Sequence, residues 1–428
     1  MNVYKLFLKF IGYRTPATMP ESLTDLPPNI LSEILSRLPI KSLFVCRSVC
    51  KTFLNLTSSN PHFNALHFSK TAQNLIIQFG SSYQPTRLVH LVDSELDTAF
   101  GFRLKVNVKE KAMFQIPKFP AKYFEEYRMY IGDENNFVLV NSCNGLLYFA
   151  ERSVCERSFI CNPITNEYVT LLEYDVEKNL TMGLWFGFSP EENLYKVLRI
   201  FATVSGTPSQ DGFKMEYWAQ VHVVGSSSWR DIEDKPLSEY LSWDKWSVFL
   251  NGTVCWLCNY PETSKFIGFF DFHEEKFGEI APPLDFGLEQ QMNKHGMSIG
   301  VLGGYLCLSD DTRDLDIWVM KKFGSQDSWS KEFVVDTSIH MDKPLEGPFR
   351  PLQILSDGKI LMIWANRVLV TYDPKTKDFG YLEFDGVESL GKVVLYTPSF
   401  FPLKDALMVD NLTVQNMTSR ENPGLIED

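Results

Sequence analysis

The sequence predicts three short helices followed by a large all-β body, a β-propeller of six or seven blades. Three observations predict it. Apolar residues recur at helical spacing only between residues 22 and 70. From residue 73 to 403 they come instead in short runs bounded by Asn-Gly, Asp-Gly, Gly-Gly or Asn-Pro, as hairpin strands do. Those turn dipeptides also recur at a regular interval.

Composition sets the bounds. The chain has 428 residues, 44% hydrophobic and 22% charged, enough for a sizeable core and unlike a disordered segment. Its formal charge of −12 disfavours non-specific binding to nucleic acid or to an anionic membrane, because phosphate binding needs clustered cations. Lys5 and Lys9 interrupt the apolar start, leaving no run of roughly 7–15 apolar residues for a signal peptide. No stretch reaches the roughly 18 apolar residues of a membrane helix. The expectation is a soluble cytoplasmic or nuclear protein with its eight cysteines reduced. Residues 1–21 are expected to be a flexible arm.

The first helix carries Ile30, Leu31, Ile34, Leu35 and Leu38 on one face. Asp25 is placed to cap it, with Pro27 and Pro28 in or just before the first turn. Pro39 ends it. A second helix is expected over roughly Lys41 to Leu56, with Leu43, Cys46, Val49, Cys50, Phe53 and Leu56 three or four apart. Asn60-Pro61 opens a third, carrying Phe63 and Leu66. So small a helical module buries little surface alone. It reads either as a helical cap packed on the rest of the chain or as a docking module for another protein.

Leu26-Pro27, Ile34-Leu35, Leu38-Pro39, Lys41-Ser42-Leu43, Arg47, Val49-Cys50-Lys51, Phe53, Pro61 and Phe63 together resemble the F-box. The match is gapless. It departs at Phe53, where the family usually has Trp, and at Val45, where a basic residue is frequent. The resemblance implies docking on a Skp-type adaptor, and through it on a cullin. Carried over by motif position, the adaptor-binding residues are Leu26, Pro27, Ile30, Ile34, Leu35, Leu38, Pro39, Leu43, Val49 and Phe53.

The β body repeats itself. Asn144-Gly145, Asn251-Gly252 and Asp357-Gly358 each precede an apolar strand, 107 and 106 residues apart. Two blades of about 50 residues fit each interval, a kelch-like period. Asn162-Pro163, Asp373-Pro374 and, more loosely, Asp271-Phe272 mark a second recurring turn. Ser228-Trp229 and Ser328-Trp329 form a third element, 100 residues apart. The alternative fold is a β-sandwich, single or stacked. NSCNGLLYF, FICNPITNEY and GFSPEENLYKVLRI follow one another as in the F-box-associated domain of plant F-box proteins, and the resemblance covers roughly residues 73–403. Residues 404–428 are expected to be a loose tail.

No catalytic constellation emerges. Cys255 and Cys258 have CxxC spacing but sit in an apolar strand, where positions i and i+3 face opposite ways. Zinc would need a second ligand pair, and none follows. No two of the seven histidines have HExxH spacing. Asp310-Asp311 and Asp314–Asp316 lack the ligand order of a calcium loop and read as a solvated hairpin tip. No metal or cofactor is expected. Trp243 and Trp246 stand in a polar segment and are the candidate substrate contacts, since exposed aromatics often anchor interfaces. The function that the F-box resemblance implies is a non-catalytic substrate receptor of an Skp–cullin–F-box ubiquitin ligase, recruiting a protein substrate for degradation, and the lack of a catalytic constellation fits it. A propeller enzyme with a loop-assembled site and a scaffold acting outside the ligase are the alternatives.

Overall fold

The computed structural model describes residues 23–81, 84–92, 104–107, 112–117, 122–124, 129–131, 137–151, 157–173, 179–205, 214–234, 236, 247–258, 266–287, 296–312, 314–337, 347–385, 390–409 and 412–417. Two compact units divide the chain. One comprises Met1–Ala72 with Pro398–Phe401, and the other Gln73–Thr397 with Pro402–Asp428.

The first unit is helical. After a 3-10 turn at Leu23–Asp25 come α1 (Pro28–Leu35), α2 (Ile40–Val49), α3 (Lys51–Ser59) and α4 (Pro61–Lys70). Pro27, not Asp25, is the residue before α1, and it gives no side-chain cap. Pro28 occupies the first turn, where a missing N–H goes unnoticed. Pro39 likewise precedes α2. The second expected helix is in fact two, α2 and α3, divided at Cys50, whose backbone is extended (φ −156°, ψ 160°). No Gly or Pro marks that break in the sequence. Asn60 caps α4, its Oδ1 accepting from the Phe63 amide at 3.1 Å. Leu26, Leu31, Ile34, Leu35, Ile40, Leu43, Phe53 and Phe63 are buried. At the edge of this core, Lys70 Nζ donates to Glu33 Oε2 (2.6 Å) and Ser36 Oγ (3.1 Å), tying α4 to α1.

The second unit is a propeller of six antiparallel blades. Blade one closes the ring. Its inner strand is the late Lys392–Tyr396, followed outward by Asn74–Ser81, Gln84–Val92 and Ala112–Gln115. The other inner strands are Phe137–Cys143, Asn179–Ser189, Ser247–Leu250, Met297–Leu302 and Phe349–Ile354. Asn74 pairs with Tyr396, so the chain leaves the ring beside its point of entry. Two outer edges gain a strand. Leu104–Asn107 lies parallel to Phe379–Asp385 on blade six, and Gln415–Asn416 pairs with Glu167–Thr170 on blade two.

The cores lie between blades. Leu184, Phe186, Tyr195 and Val197 of blade three meet Leu146, Tyr148 and Ile160 of blade two, and similar clusters join blades three to four, four to five, five to six and six to one. Middle strands such as Thr253–Leu257, Ile360–Trp364 and Val368–Tyr372 are therefore buried on both faces. That is why they read as continuous apolar runs rather than alternating ones.

The sequence repeats are the turns and ties of this ring. Asn144-Gly145 (φ 48° and 80°) and Asn251-Gly252 (48° and 79°) are left-handed hairpin turns between first and second strands. Asn162, Asp271 and Asp373 each accept backbone N–H bonds through Oδ1 between third and fourth strands. Trp229 Nε1 donates to Leu172 O (3.2 Å) and Trp329 Nε1 to Ala281 O (3.0 Å), each reaching the preceding blade. Gln78 and Asn141 bridge blades by amide pairing with the next inner strand. The tail expected to be loose is packed as far as Met417. Helix α5 (Leu403–Leu407) buries Leu403 and Leu407 in the core between blades two and three, and Asn166 Nδ2 donates to Met417 O at 2.7 Å.

Candidate functional site

The helical unit presents several apolar side chains to solvent. Packing decides which ones. In α2, Leu43 is fully buried, so residues at positions +1, +2, +5 and +6 from it face away from the core. Phe44, Val45, Ser48 and Val49 are accordingly exposed, Val45 at 64% and Val49 at 67%. Leu23, Pro27, Pro39 and Leu54 add further exposed apolar surface.

The ten residues carried over from the motif divide three ways. Pro27, Pro39 and Val49 are exposed, and Ile30 and Leu38 are half-buried. Leu26, Ile34, Leu35, Leu43 and Phe53 are inside the unit. The two departures from the family pattern also separate. Phe53 is core, while Val45 is surface. Motif position alone does not pick out Leu23, Phe44, Val45 or Leu54. The signal that finds the α2 residues among them is the helical phase set by Leu43.

Charged groups behind this surface are held in place. Arg47 lies with its guanidinium carbon 4.9 Å from the Phe400 ring centre and 5.7 Å from that of Phe44, and burial lowers its pKa. His67 Nε2 sits 3.2 Å from Leu38 O. Burial lowers the His67 pKa, and the Leu38 carbonyl opposes this. Lys70 and Arg37 hold the exposed Glu33 carboxyl below its usual range.

Among the described residues, the propeller's cysteines are all buried. Cys255 and Cys258 are buried in blade four, and burial pushes the Cys255 thiol up, opposite to an activated thiolate. Cys143, Cys161 and Cys307 are raised by burial as well. The expected solvated tip at Asp310-Asp311 is different in the structure. Asp310 is buried, its Oδ1 accepting from the Thr312 amide (3.1 Å) and hydroxyl (2.8 Å). Burial first, and then Asp310, raise Asp311 to about 6. Asp316 pairs with Lys331 at 2.6 Å. Among the described residues no group of three or more His, Cys, Asp or Glu is placed to hold a metal, and no helix is long and apolar enough to cross a membrane. Trp243 and Trp246 lie outside the described residues.

Comparison with known proteins follows the same division. Residues 23–64 match the F-box domain. Residues 101–402 match the F-box associated beta propeller domain. The chain belongs to the plant F-box proteins with an F-box associated propeller. "F-box protein At3g07870" of Arabidopsis thaliana is 27% identical over 410 residues, spanning 87% of this chain and 91% of that protein. "F-box/kelch-repeat protein At3g23880" of the same plant is 23% identical, spanning 83% and 90%. "Putative F-box protein At3g17490" is 26% identical, spanning 90% and 96%. This F-box protein therefore resembles its relatives across both of its units.

Proposed function

We propose that this F-box protein is the substrate receptor of an Skp–cullin–F-box ubiquitin ligase. The F-box docks a Skp-type adaptor, the adaptor brings the cullin, and the propeller holds a protein substrate. The observation that carries this reading is the exposed apolar face of α2, Phe44, Val45 and Val49, in a unit that also exposes Leu23, Pro27, Pro39 and Leu54. A face of this kind in a small domain has its partner elsewhere. The motif residues Leu26, Ile34, Leu35, Leu43 and Phe53 are buried and Ile30 and Leu38 half-buried, so in this reading they hold the module's shape.

The chain's work is tethering. Holding a substrate beside a charged ubiquitin-conjugating enzyme makes the transfer effectively intramolecular and raises its rate without any acid, base or nucleophile from the receptor. Such a receptor is not itself an enzyme. It works in the cytoplasm or nucleus, where the ligase and its substrates meet.

Co-purification of the full chain with a Skp-type adaptor tests the reading. The informative variant is Val45→Asp with Val49→Asp, because both positions are exposed and the F-box core is left intact. Seating two carboxylates in an apolar interface costs several kcal/mol, so the adaptor is lost. Leu43→Asp would be uninformative, since Leu43 is core. No co-purification of the wild-type chain would defeat the proposal.

A further inference from the structure

The F-box match ends at residue 64, and the propeller match runs on to residue 402. The structure divides the chain differently. Pro398–Phe401 leaves the propeller after Tyr396 and belongs to the helical unit. Ser399 and Phe400 are buried there, at 2% and 3% exposure. Phe401 N donates to Ser399 Oγ at 3.2 Å, which bends the segment locally.

Phe400 makes three ring contacts within that unit. Its ring centre lies 5.3 Å from that of Phe44, edge to face, and 5.8 Å from that of His67. The Arg47 guanidinium carbon lies 4.9 Å from its centre. Phe44 and Arg47 are both on α2, the helix whose outer face carries Val45 and Val49. His67 is on α4 and also reaches Leu38 O, at the junction of α1 and α2. Phe400 therefore grips the docking helix and its support together. The pairings are substantial for one side chain, since a partly buried cation–π contact and an edge-to-face ring pair both add to plain burial.

We propose that Pro398–Phe401 is an integral brace of the F-box, with Phe400 as the positioning residue that fixes α2 for adaptor docking. The docking half of this statement rests on the function proposed above, whereas the brace does not. It follows that residues 23–64, the span that carries the F-box motif, are not by themselves a complete F-box.

The test uses the full chain and two readouts. Hydrogen exchange of the α2 amides is measured without adaptor, and adaptor affinity is measured separately. Phe400→Ala should speed α2 exchange and weaken adaptor binding, each by about tenfold, the scale of one partly buried cation–π contact. Propeller amides in Ile360–Trp364 should exchange as in wild type. Phe400→Tyr keeps the ring and should restore both. Arg47→Met and Phe400→Leu, which keep apolar bulk, give a second route. If the two groups act as a pair, adding Arg47→Met to Phe400→Leu should cost little more than Phe400→Leu alone. Unchanged α2 exchange in Phe400→Ala, or independent effects in the Arg47–Phe400 cycle, would overturn the brace. Faster α2 exchange in a chain whose wild type binds no adaptor would retain the brace and remove the docking reading.

Discussion

The buried ion pair in blade two gives the sharpest stability prediction. Arg157 Nε donates to Glu151 Oε2 at 2.7 Å and Nη2 to Oε1 at 2.6 Å, a bidentate fork. Glu151 is 3% exposed and Arg157 8%, with the Phe137 ring centre 5.7 Å from the guanidinium. Water cannot take over either charge if its partner is removed. Glu151→Leu takes the carboxylate away from a buried guanidinium and should cost about 3–5 kcal/mol. With about 0.7 kcal/mol/K of unfolding entropy for a unit of this size, the melting temperature should fall by about 4–7 °C. Glu151→Leu with Arg157→Met removes both charges and should recover most of that loss, because the single variant's penalty comes from an uncompensated charge. Calorimetry at one fixed scan rate reads both variants, which keeps the comparison valid if unfolding is irreversible. If the double variant melts as low as the single, or the single loses less than about 1 kcal/mol, the pair is not the buried, interdependent unit described.

Two further perturbations probe the ring. Gln78 Nε2 donates to Phe137 O (2.7 Å) and Gln78 Oε1 accepts from Leu139 N (2.6 Å), so Gln78→Leu leaves two buried backbone groups without this partner. At about 1–3 kcal/mol for each unpaired group, the denaturant midpoint should fall clearly, and an unchanged midpoint would contradict the bridge between blades one and two. Asp311 has a folded pKa raised to about 6, so its neutral form is the one the fold prefers. Its contribution is full below the unfolded carboxyl range and is lost as pH rises through about 6. Asp311→Asn should therefore be stabilising by about 1–2 kcal/mol at pH 8, after discounting for partial exposure, and nearly neutral at pH 4. Urea titrations at the two pH values check this, and a variant that gains equally at both would contradict it.

Much of this architecture is legible in the residues because the devices that build it are local. Asn144-Gly145 and Asn251-Gly252 announce left-handed turns, and Asn162, Asp271 and Asp373 announce turns closed by a side-chain oxygen. Their spacing counts blades two at a time, which is why the sequence brackets six without fixing it. Other features leave no local mark. The break at Cys50 has neither Gly nor Pro. Gln415–Asn416 pairs only two residues with blade two, too short for any periodicity to register. Phe400 returns to helices more than 330 residues away, and no pattern in its neighbours says so. At the proposed docking site, motif matching selects residues by family position. It does not separate Leu43, which is core, from Val45, which is surface, because that distinction is set by how α2 packs.

Hydrogen exchange of the full chain with and without a purified Skp-type adaptor tests the central claim most directly. The account predicts new protection in α2 and in the turn at Leu23–Asp25, with the propeller strands unchanged. Protection confined to the propeller, or none anywhere at saturating adaptor, would contradict it.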